Sequence, residues 1–254
     1  MQENELILID KPAGMTSFGV VARIRRVLSD QEYAKRAVEE GGEQTETAAL
    51  PTRGSLRGNI GSPQGAKRRV KVGHAGTLDP FATGLLTILT GKMTKRAGEF
   101  TKLDKIYEAT IVLGQTSTTA DPEGEITHVS DKIPTLEEIQ AALTHFAGEI
   151  TQTPPIFSAI KINGRRAYDL ARKGQQPDIP PRQVTIHSIT LVDYSYPELK
   201  ITTHVSSGTY IRSLATDIGD YLATDAYLSQ LRRTQVGDFS IDQAKTLLDL
   251  DISD

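Results

Sequence analysis

The sequence predicts an α+β fold built on a mixed sheet, and three observations carry that reading. Strand-like and helix-like stretches are interspersed without the regular strand–helix–strand rhythm of a doubly wound parallel sheet. The 254 residues suffice for one large domain or two small ones, and with 38% hydrophobic and 24% charged residues they suit a soluble chain that buries a real core. The longest apolar runs, such as Ile7 to Ile9 and Leu85 to Leu89, are far too short to cross a bilayer.

In chain order, Leu6 to Ile9 is a short apolar run stopped by Asp10-Lys11-Pro12-Ala13-Gly14, which reads as a strand ending in a turn. Ser17 then precedes Val20, Val21, Ile24, Val27 and Leu28 at helical spacing, a helix with Arg23, Arg25 and Arg26 on its outer side. Residues 30–69 are rich in Glu, Gln, Gly, Ser and Thr and nearly empty of large apolar groups. Such a stretch cannot offset its ordering entropy and reads as a flexible charged insertion. Order returns at Val70. Leu85 to Leu89 is expected as a buried strand, and Lys105 to Leu113, with its β-branched residues, as another. Thr135 and Glu138 form a capping box that opens a helix through Leu136, Ile139, Leu143 and Phe146, closed by Gly148. Leu199, Ile201, Thr203 and Val205 alternate as a strand, and after Ser207-Gly208 a helix is marked by Ile211, Leu214, Ile218 and Leu222. Ser240 with Gln243 caps a last short helix through Ala244, Leu247 and Leu248.

Composition excludes several chemistries. Without cysteine there is no disulfide scaffold, thiol nucleophile or thiolate zinc site. Gln2, Glu3 and Asn4 do not make a basic-then-apolar leader, so a cytoplasmic location is expected. The net charge of −3 lacks the overall basic footprint of a nucleic-acid binder, yet the average hides an asymmetry. Asp30 to Glu46 holds six acids against Lys35 and Arg36, Arg53 to Lys71 holds six bases and no acid, and Lys161 to Arg182 holds six bases against Asp169 and Asp178. A polyanionic partner responds to such local fields rather than to the total.

Chemistry concentrates in two segments. In Gly73-His74-Ala75-Gly76-Thr77-Leu78-Asp79-Pro80-Phe81-Ala82-Thr83-Gly84 the glycines allow close approach of the backbone to a ligand, and Pro80 pushes Asp79 toward extended geometry. Asp79 either caps a neighbouring amide, the commoner role of an isolated Asp-Pro, or holds its carboxylate in a fixed direction for reaction. In Ser206-Ser207-Gly208-Thr209-Tyr210-Ile211-Arg212, at a strand-to-helix junction, Arg212 either pairs with a structural carboxylate or keeps a loop carboxylate ionised. Tyr107 packs across strands or stacks on a base. The histidines 74, 128, 145, 187 and 204 are scattered, with no pair at ligand spacing to a carboxylate, so no metal site is expected. No Gly-x-Ser-x-Gly nucleophile elbow is present, and Gly61 to Lys67 lacks the Gly-Lys-Ser/Thr of a phosphate loop.

Taken together, Asp10-Lys11-Pro12-Ala13-Gly14-Met15-Thr16-Ser17, Lys71-Val72-Gly73-His74-Ala75-Gly76-Thr77-Leu78-Asp79-Pro80, Gly208-Thr209-Tyr210-Ile211-Arg212 and Leu231-Arg232-Arg233-Thr234 resemble the TruB family of RNA pseudouridine synthases, in that family's order. The resemblance spans most of the chain outside residues 30–69. It implies a pseudouridine-synthase-like mixed, mostly antiparallel sheet flanked by helices and loops, formed by residues 1–29 and 70–254. It implies isomerisation of uridine-55 in the T-loop of tRNA, with base flipping, a carboxylate nucleophile and no cofactor. Asp79 is then the nucleophile, Tyr107 stacks on the flipped uracil and helps remove the C5 proton, and Arg212 pairs with Asp79. Tyr210 lines the pocket, His74 holds the flipped nucleotide or fills its vacancy, and Leu231 contacts the base. Lys11 and Pro12 brace the catalytic loop.

Pro154 through Ser158, with Lys161, Arg165, Arg166 and Lys173, resembles the family's RNA-gripping loop. The expected partner is the T-arm of tRNA, bound by a monomer, with no metal and no membrane. The chain ends soon after Leu231-Arg232-Arg233-Thr234, so the C-terminal PUA domain common in relatives is expected to be absent. The basic half of the 30–69 insertion is expected to make phosphate contacts in its place. Two other functions share these residues: a guide-dependent synthase acting on ribosomal RNA, and a tRNA-folding chaperone with little catalysis.

Overall fold

The apolar run at Leu85 to Leu89 lies, as expected, in a buried strand of the main sheet. A computed structural model of the protein describes residues 4–40, 70–162, 164–175 and 177–252. In chain order its elements are β1 (Leu6–Lys11), α1 (Ser17–Glu40), β2 (Val72–His74), β3 (Thr83–Thr90), α2 (Ala97–Thr101), β4 (Lys105–Leu113), β5 (Gln115–Ser117), β6 (Ile126–His128), α3 (Leu136–His145), β7 (Gly148–Gln152), β8 (Lys161–Ile162), β9 (Arg165–Arg166), α4 (Ala167–Ala171), β10 (Arg182–Ser195), β11 (Glu198–Val205), α5 (Ile211–Leu222), β12 (Ala226–Val236) and β13 (Phe239–Ser240). The main sheet runs β1-β3-β12-β4-β11-β10-β7, with β2 added to β3 and β13 to β12. Every pairing in it is antiparallel except β3 with β12. The sheet is therefore mixed and mostly antiparallel, as expected. Two small hairpins, β5–β6 and β8–β9, stand outside it.

Burial follows from the pattern. Seven of the eight residues of β3 are buried, as in a strand covered on both faces. Val20, Val21, Ile24 and Leu28 of α1, Ile139 and Leu143 of α3, and Leu214, Ile218 and Leu222 of α5 join the sheet in one continuous core. Each such side chain contributes about 1.5–3 kcal/mol on burial. The capping box of α3 forms as read, with Glu138 N–H donating to Thr135 and Thr135 N–H donating back to Glu138. Among the described residues no helix is long and apolar enough to cross a membrane.

Three local expectations change. The helix opened by Ser17 does not stop at residue 29 but runs to Glu40, because Asp30 to Glu40 is composed largely of good helix formers, although none of residues 30–35 is buried. The rest of the expected insertion, residues 41–69, lies outside the described residues. The last expected helix is instead a 3₁₀ turn over Ile241–Gln243, still closed by its Ser240–Gln243 box, and a second turn at Leu248–Leu250. Between them the chain becomes extended because Lys245 pairs with β1: its N–H donates to Leu8 O (3.0 Å) and its O accepts from Asp10 N–H (2.9 Å). Arg25, expected on the outer side of α1, is half-buried and donates to Val72 O (2.8 Å).

The parallel pairing of β3 with β12 sets a sharp requirement. β3 and β12 meet through Arg232 opposite Thr83 and Arg233 opposite Gly84. Gly84 has φ +100°, and a Cβ there would overlap the backbone of Arg233. Gly84→Ala combines left-handed strain with overpacking of backbone, so it is expected to destabilise the fold by about 2–5 kcal/mol, read as a lowered denaturant midpoint. A change below 1 kcal/mol (roughly, the surface-mutation range) would contradict this close packing.

Candidate active site

The loop between β2 and β3 carries Asp79 and is tied down on both sides of it. Ser17 Oγ, at the start of α1, donates to Leu78 O (2.9 Å) and accepts from Leu78 N–H (2.8 Å). Lys11 is fully buried, and its Nζ donates to Pro12 O (2.8 Å), Met15 O (2.7 Å) and Pro80 O (3.2 Å). Gly14 N–H also donates to Pro80 O (2.8 Å). Arg233, buried in β12, donates to Leu85 O (2.8 Å), Gly76 O (3.2 Å) and Thr77 O (3.4 Å). The loop's carbonyls at 76, 77, 78 and 80 are thus all held, and Asp79 sits between fixed points. Burial lowers the Lys11 pKa to about 8; Asp79 and Glu123 oppose the shift, and Arg233 adds to it.

Arg212 enters from the first turn of α5. Its side chain is 3% exposed, and its Nε lies 3.0 Å from Asp79 Oδ2. The N–H is not aimed along a hydrogen-bond axis, so this is a charge contact rather than an aligned bond. The other guanidinium nitrogens are committed elsewhere: Nη1 to Asp121 Oδ2 (3.1 Å) and Thr119 O (3.2 Å), Nη2 to Phe157 O (2.7 Å). Asp121 is buried and accepts as well from Thr119 Oγ1 (2.5 Å) and Glu123 N–H (3.1 Å). Asp79 keeps 32% of its side chain exposed. Its pKa is raised, chiefly by burial and further by the Asp121 carboxylate, against the pull of Arg212 and Lys11. Two carboxylates therefore share one arginine, one of them saturated and the other open to a ligand.

Asp79 and Arg212 border a cleft of about 510 Å³ that is also lined by His74, Tyr107, Arg166, Tyr210 and Leu231, within the size range of small-molecule sites. Tyr107 and Leu231 are buried on β4 and β12. Tyr210 precedes α5, where its backbone exchanges hydrogen bonds with the buried Gln152 side chain (2.8 and 3.0 Å) and its ring lies 5.0 Å from the Arg182 guanidinium carbon. His74 Nδ1 is buried without a hydrogen-bond partner among the described residues, and burial, with Arg233 and Arg166 nearby, lowers its pKa. Lys161 and Arg165 lie exposed on the β8–β9 hairpin and do not line the cleft, and Pro12 is an exposed turn residue whose carbonyl receives Lys11. A wider hollow of about 810 Å³ beside Ala13, Glu108 and Arg232 shares Glu123 and Leu231 with the cleft but includes neither Asp79 nor Arg212.

Sequence reasoning missed Asp121, Ser17, Arg233 and the exposed ring of Phe18 at the cleft. Asp121-Pro122 repeats the Asp-Pro signature of Asp79-Pro80, a signal that was available; the others are recognisable only through partners distant in the chain. The histidines are not all scattered either: His187 and His204 converge on Asp104. They lie seventeen positions apart in the chain, and it is the β10–β11 register that unites them.

Comparison with known proteins agrees with this geometry. Residues 64–211 match the model of the TruB family pseudouridylate synthase (N terminal domain), and residues 212–252 that of the tRNA pseudouridylate synthase B C-terminal domain. The chain is 41% identical over 244 residues to tRNA pseudouridine synthase B of Bacteroides fragilis, covering 95% of this chain and 90% of that one. It is 42% identical over 243 residues to the protein of that name from Phocaeicola vulgatus, covering 95% and 89%. Among solved structures, a Cbf5-Nop10-Gar1 complex aligns with a TM-score of 0.64 at 28% identity, over 96% of this chain and 53% of that one. With its mixed sheet and its Asp79–Arg212 cleft, the chain belongs to the TruB family of pseudouridylate synthases.

The buried ammonium of Lys11 has a thermodynamic signature. Its pKa is lowered in the fold to about 8 from 10.5, so between those values the unfolded chain binds more protons and stability rises with pH. The stability of the wild type relative to Lys11→Met, from denaturant unfolding, is therefore expected to increase between pH 8 and 10.5. A flat or falling difference would contradict burial of the charged form.

Proposed function

We propose that this protein isomerises uridine-55 in the T-arm of tRNA to pseudouridine, with Asp79 as the nucleophile. The observation that carries the reading is the partly exposed Asp79 carboxylate beside the buried Arg212 in a cleft bordered by Tyr107. The uridine leaves its stack and enters the cleft. Asp79 supplies the nucleophile for the step in which the N1–C1′ bond breaks; the uracil turns and its C5 bonds to C1′, the bond to Asp79 is broken again to regenerate the carboxylate, C5 loses its proton and N1 takes one up. Atoms and electrons balance without an oxidant, a reductant or a cofactor. Arg212 keeps the carboxylate charged, Tyr107 stacks on the uracil and assists proton removal, and Leu231, His74 and Tyr210 border the base.

Lys161, Arg165 and Arg166, on the β8–β9 hairpin, offer phosphate contacts to the T-arm. On this reading the enzyme works as a monomer in the cytoplasm, where its substrate is. The guide-dependent alternative is the weaker one. The resemblance to the Cbf5 complex is 28% and spans 53% of that chain, against 41% and 90% for the Bacteroides fragilis tRNA enzyme. A chaperone without catalysis would not need the partly exposed Asp79 carboxylate beside Arg212.

The test uses unmodified tRNA transcript tritiated at C5 of uridine. Wild-type protein is expected to release one equivalent of tritium per tRNA, and a transcript with cytidine at the target position none. Asp79→Asn is expected to slow release about 10⁴-fold or more, the scale of losing a nucleophile. Tight binding of tRNA with no release would overturn the proposal in favour of a chaperone.

A further inference from the structure

We propose that Asp104, His187 and His204 form a binding site for a divalent transition-metal ion of the zinc class, outside the cleft that holds Asp79. The three residues come from different parts of the sheet. Asp104 immediately precedes β4, whose first residue, Lys105, pairs with Val205. His204 is the neighbour of Val205 on β11. His187 is the extra residue at a register shift in β10, between the pairs Ile186–Val205 and Ser188–His204, and a bulge of this kind re-aims a side chain.

Both imidazoles present Nε2 to the same carboxylate oxygen. His187 Nε2 lies 3.1 Å and His204 Nε2 3.9 Å from Asp104 Oδ2, their ring centroids are 4.6 Å apart, and the three ligand atoms all fall within 4.8 Å of one another. Ligands about 2.1 Å from a tetrahedral ion are about 3.4 Å apart, so small side-chain rotations bring this set around one. A simple ion pair would need only one of the two histidines. Two imidazoles with one carboxylate favour zinc, nickel, cobalt or copper over magnesium or calcium, which prefer all-oxygen shells.

The side chains are 37%, 40% and 45% exposed, enough for an ion to enter and to keep open positions for water or an anionic oxygen. Lys105 and Val205, which adjoin two of the ligands in sequence, line the cleft of Asp79, so the ion would add positive charge near the path of a bound polyanion.

The test is a titration of tag-free, chelator-stripped full-length protein with Zn²⁺ by calorimetry and with Co²⁺ by visible absorption. One saturable site per chain is expected, with cobalt bands of nitrogen and oxygen ligation. His187→Ala, His204→Ala and Asp104→Asn should each weaken binding at least about tenfold. His128→Ala, which removes the exposed His128–Asp131 pair, should leave it unchanged. Because protons compete for imidazole nitrogens, binding should also weaken at acid pH. Absence of saturable binding, or binding that survives all three ligand substitutions, overturns the proposal. Retained tritium release from tRNA in the ligand variants shows that they fold and keeps this outcome separate from the catalytic reading.

Discussion

The Arg212 guanidinium faces Asp79, Asp121, Thr119 O and Phe157 O at once, and its needs explain the shape of everything around it. Removing a cation from water costs several kcal/mol unless charge and hydrogen bonds replace the solvent. No single neighbour supplies enough, so the β2–β3 loop, the β5–β6 turn and the segment before β8 all close on the first turn of α5. The outcome is asymmetric. Asp121 is saturated by Arg212, Thr119 and Glu123, whereas Asp79 keeps only a charge contact and an exposed face. Pairs of acids whose surroundings differ in this way suit different roles: Asp121 holds the arginine, and Asp79 is left open to a ligand.

Other buried cations fix the loop rather than the carboxylate. Lys11 and Arg233 bond to backbone carbonyls on either side of Asp79, and Ser17 secures Leu78 from both its donor and its acceptor side. Those bonds leave the Asp79 carboxylate few conformations to lose on binding a ligand, which is the physical content of preorganisation. Lys11, with Arg212, also adds positive potential that opposes the desolvation of the carboxylate. Desolvation prevails, and the Asp79 pKa rises.

How much of this was legible follows from the distance over which each signal acts. β1, the start of α1, β3, β4, α3, β11 and α5 could be read from periodicity and caps because those signals lie within a few residues. β12 could not: its Ser229, Gln230, Arg232 and Arg233 look wrong for an interior strand. Arg232 is balanced by Asp10 (2.7 Å) and Arg233 by loop carbonyls, partners far away in the chain. Within the site, Asp79 stood out through its glycine-rich Asp-Pro loop, while Asp121 carried the same dipeptide between Gly114 and Gly124, outside every motif of the resemblance, and was overlooked. The Asp104–His187–His204 group had no sequence signature at all, since a strand register and a bulge create it.

Asp79 owes its charge state to opposing influences, burial and Asp121 on one side and Arg212 with Lys11 on the other. Carboxyl ¹³C NMR titration of Asp79 in the RNA-free protein, for the wild type and Asp121→Asn, tests it most directly. Asp79 should titrate above the ordinary 3.8 in the wild type. Its pKa should fall in Asp121→Asn, where a like charge is gone and Arg212 is freed toward Asp79. A wild-type value at or below 3.8, or a pKa that does not move in the variant, would show that burial and Asp121 do not set the charge state of Asp79.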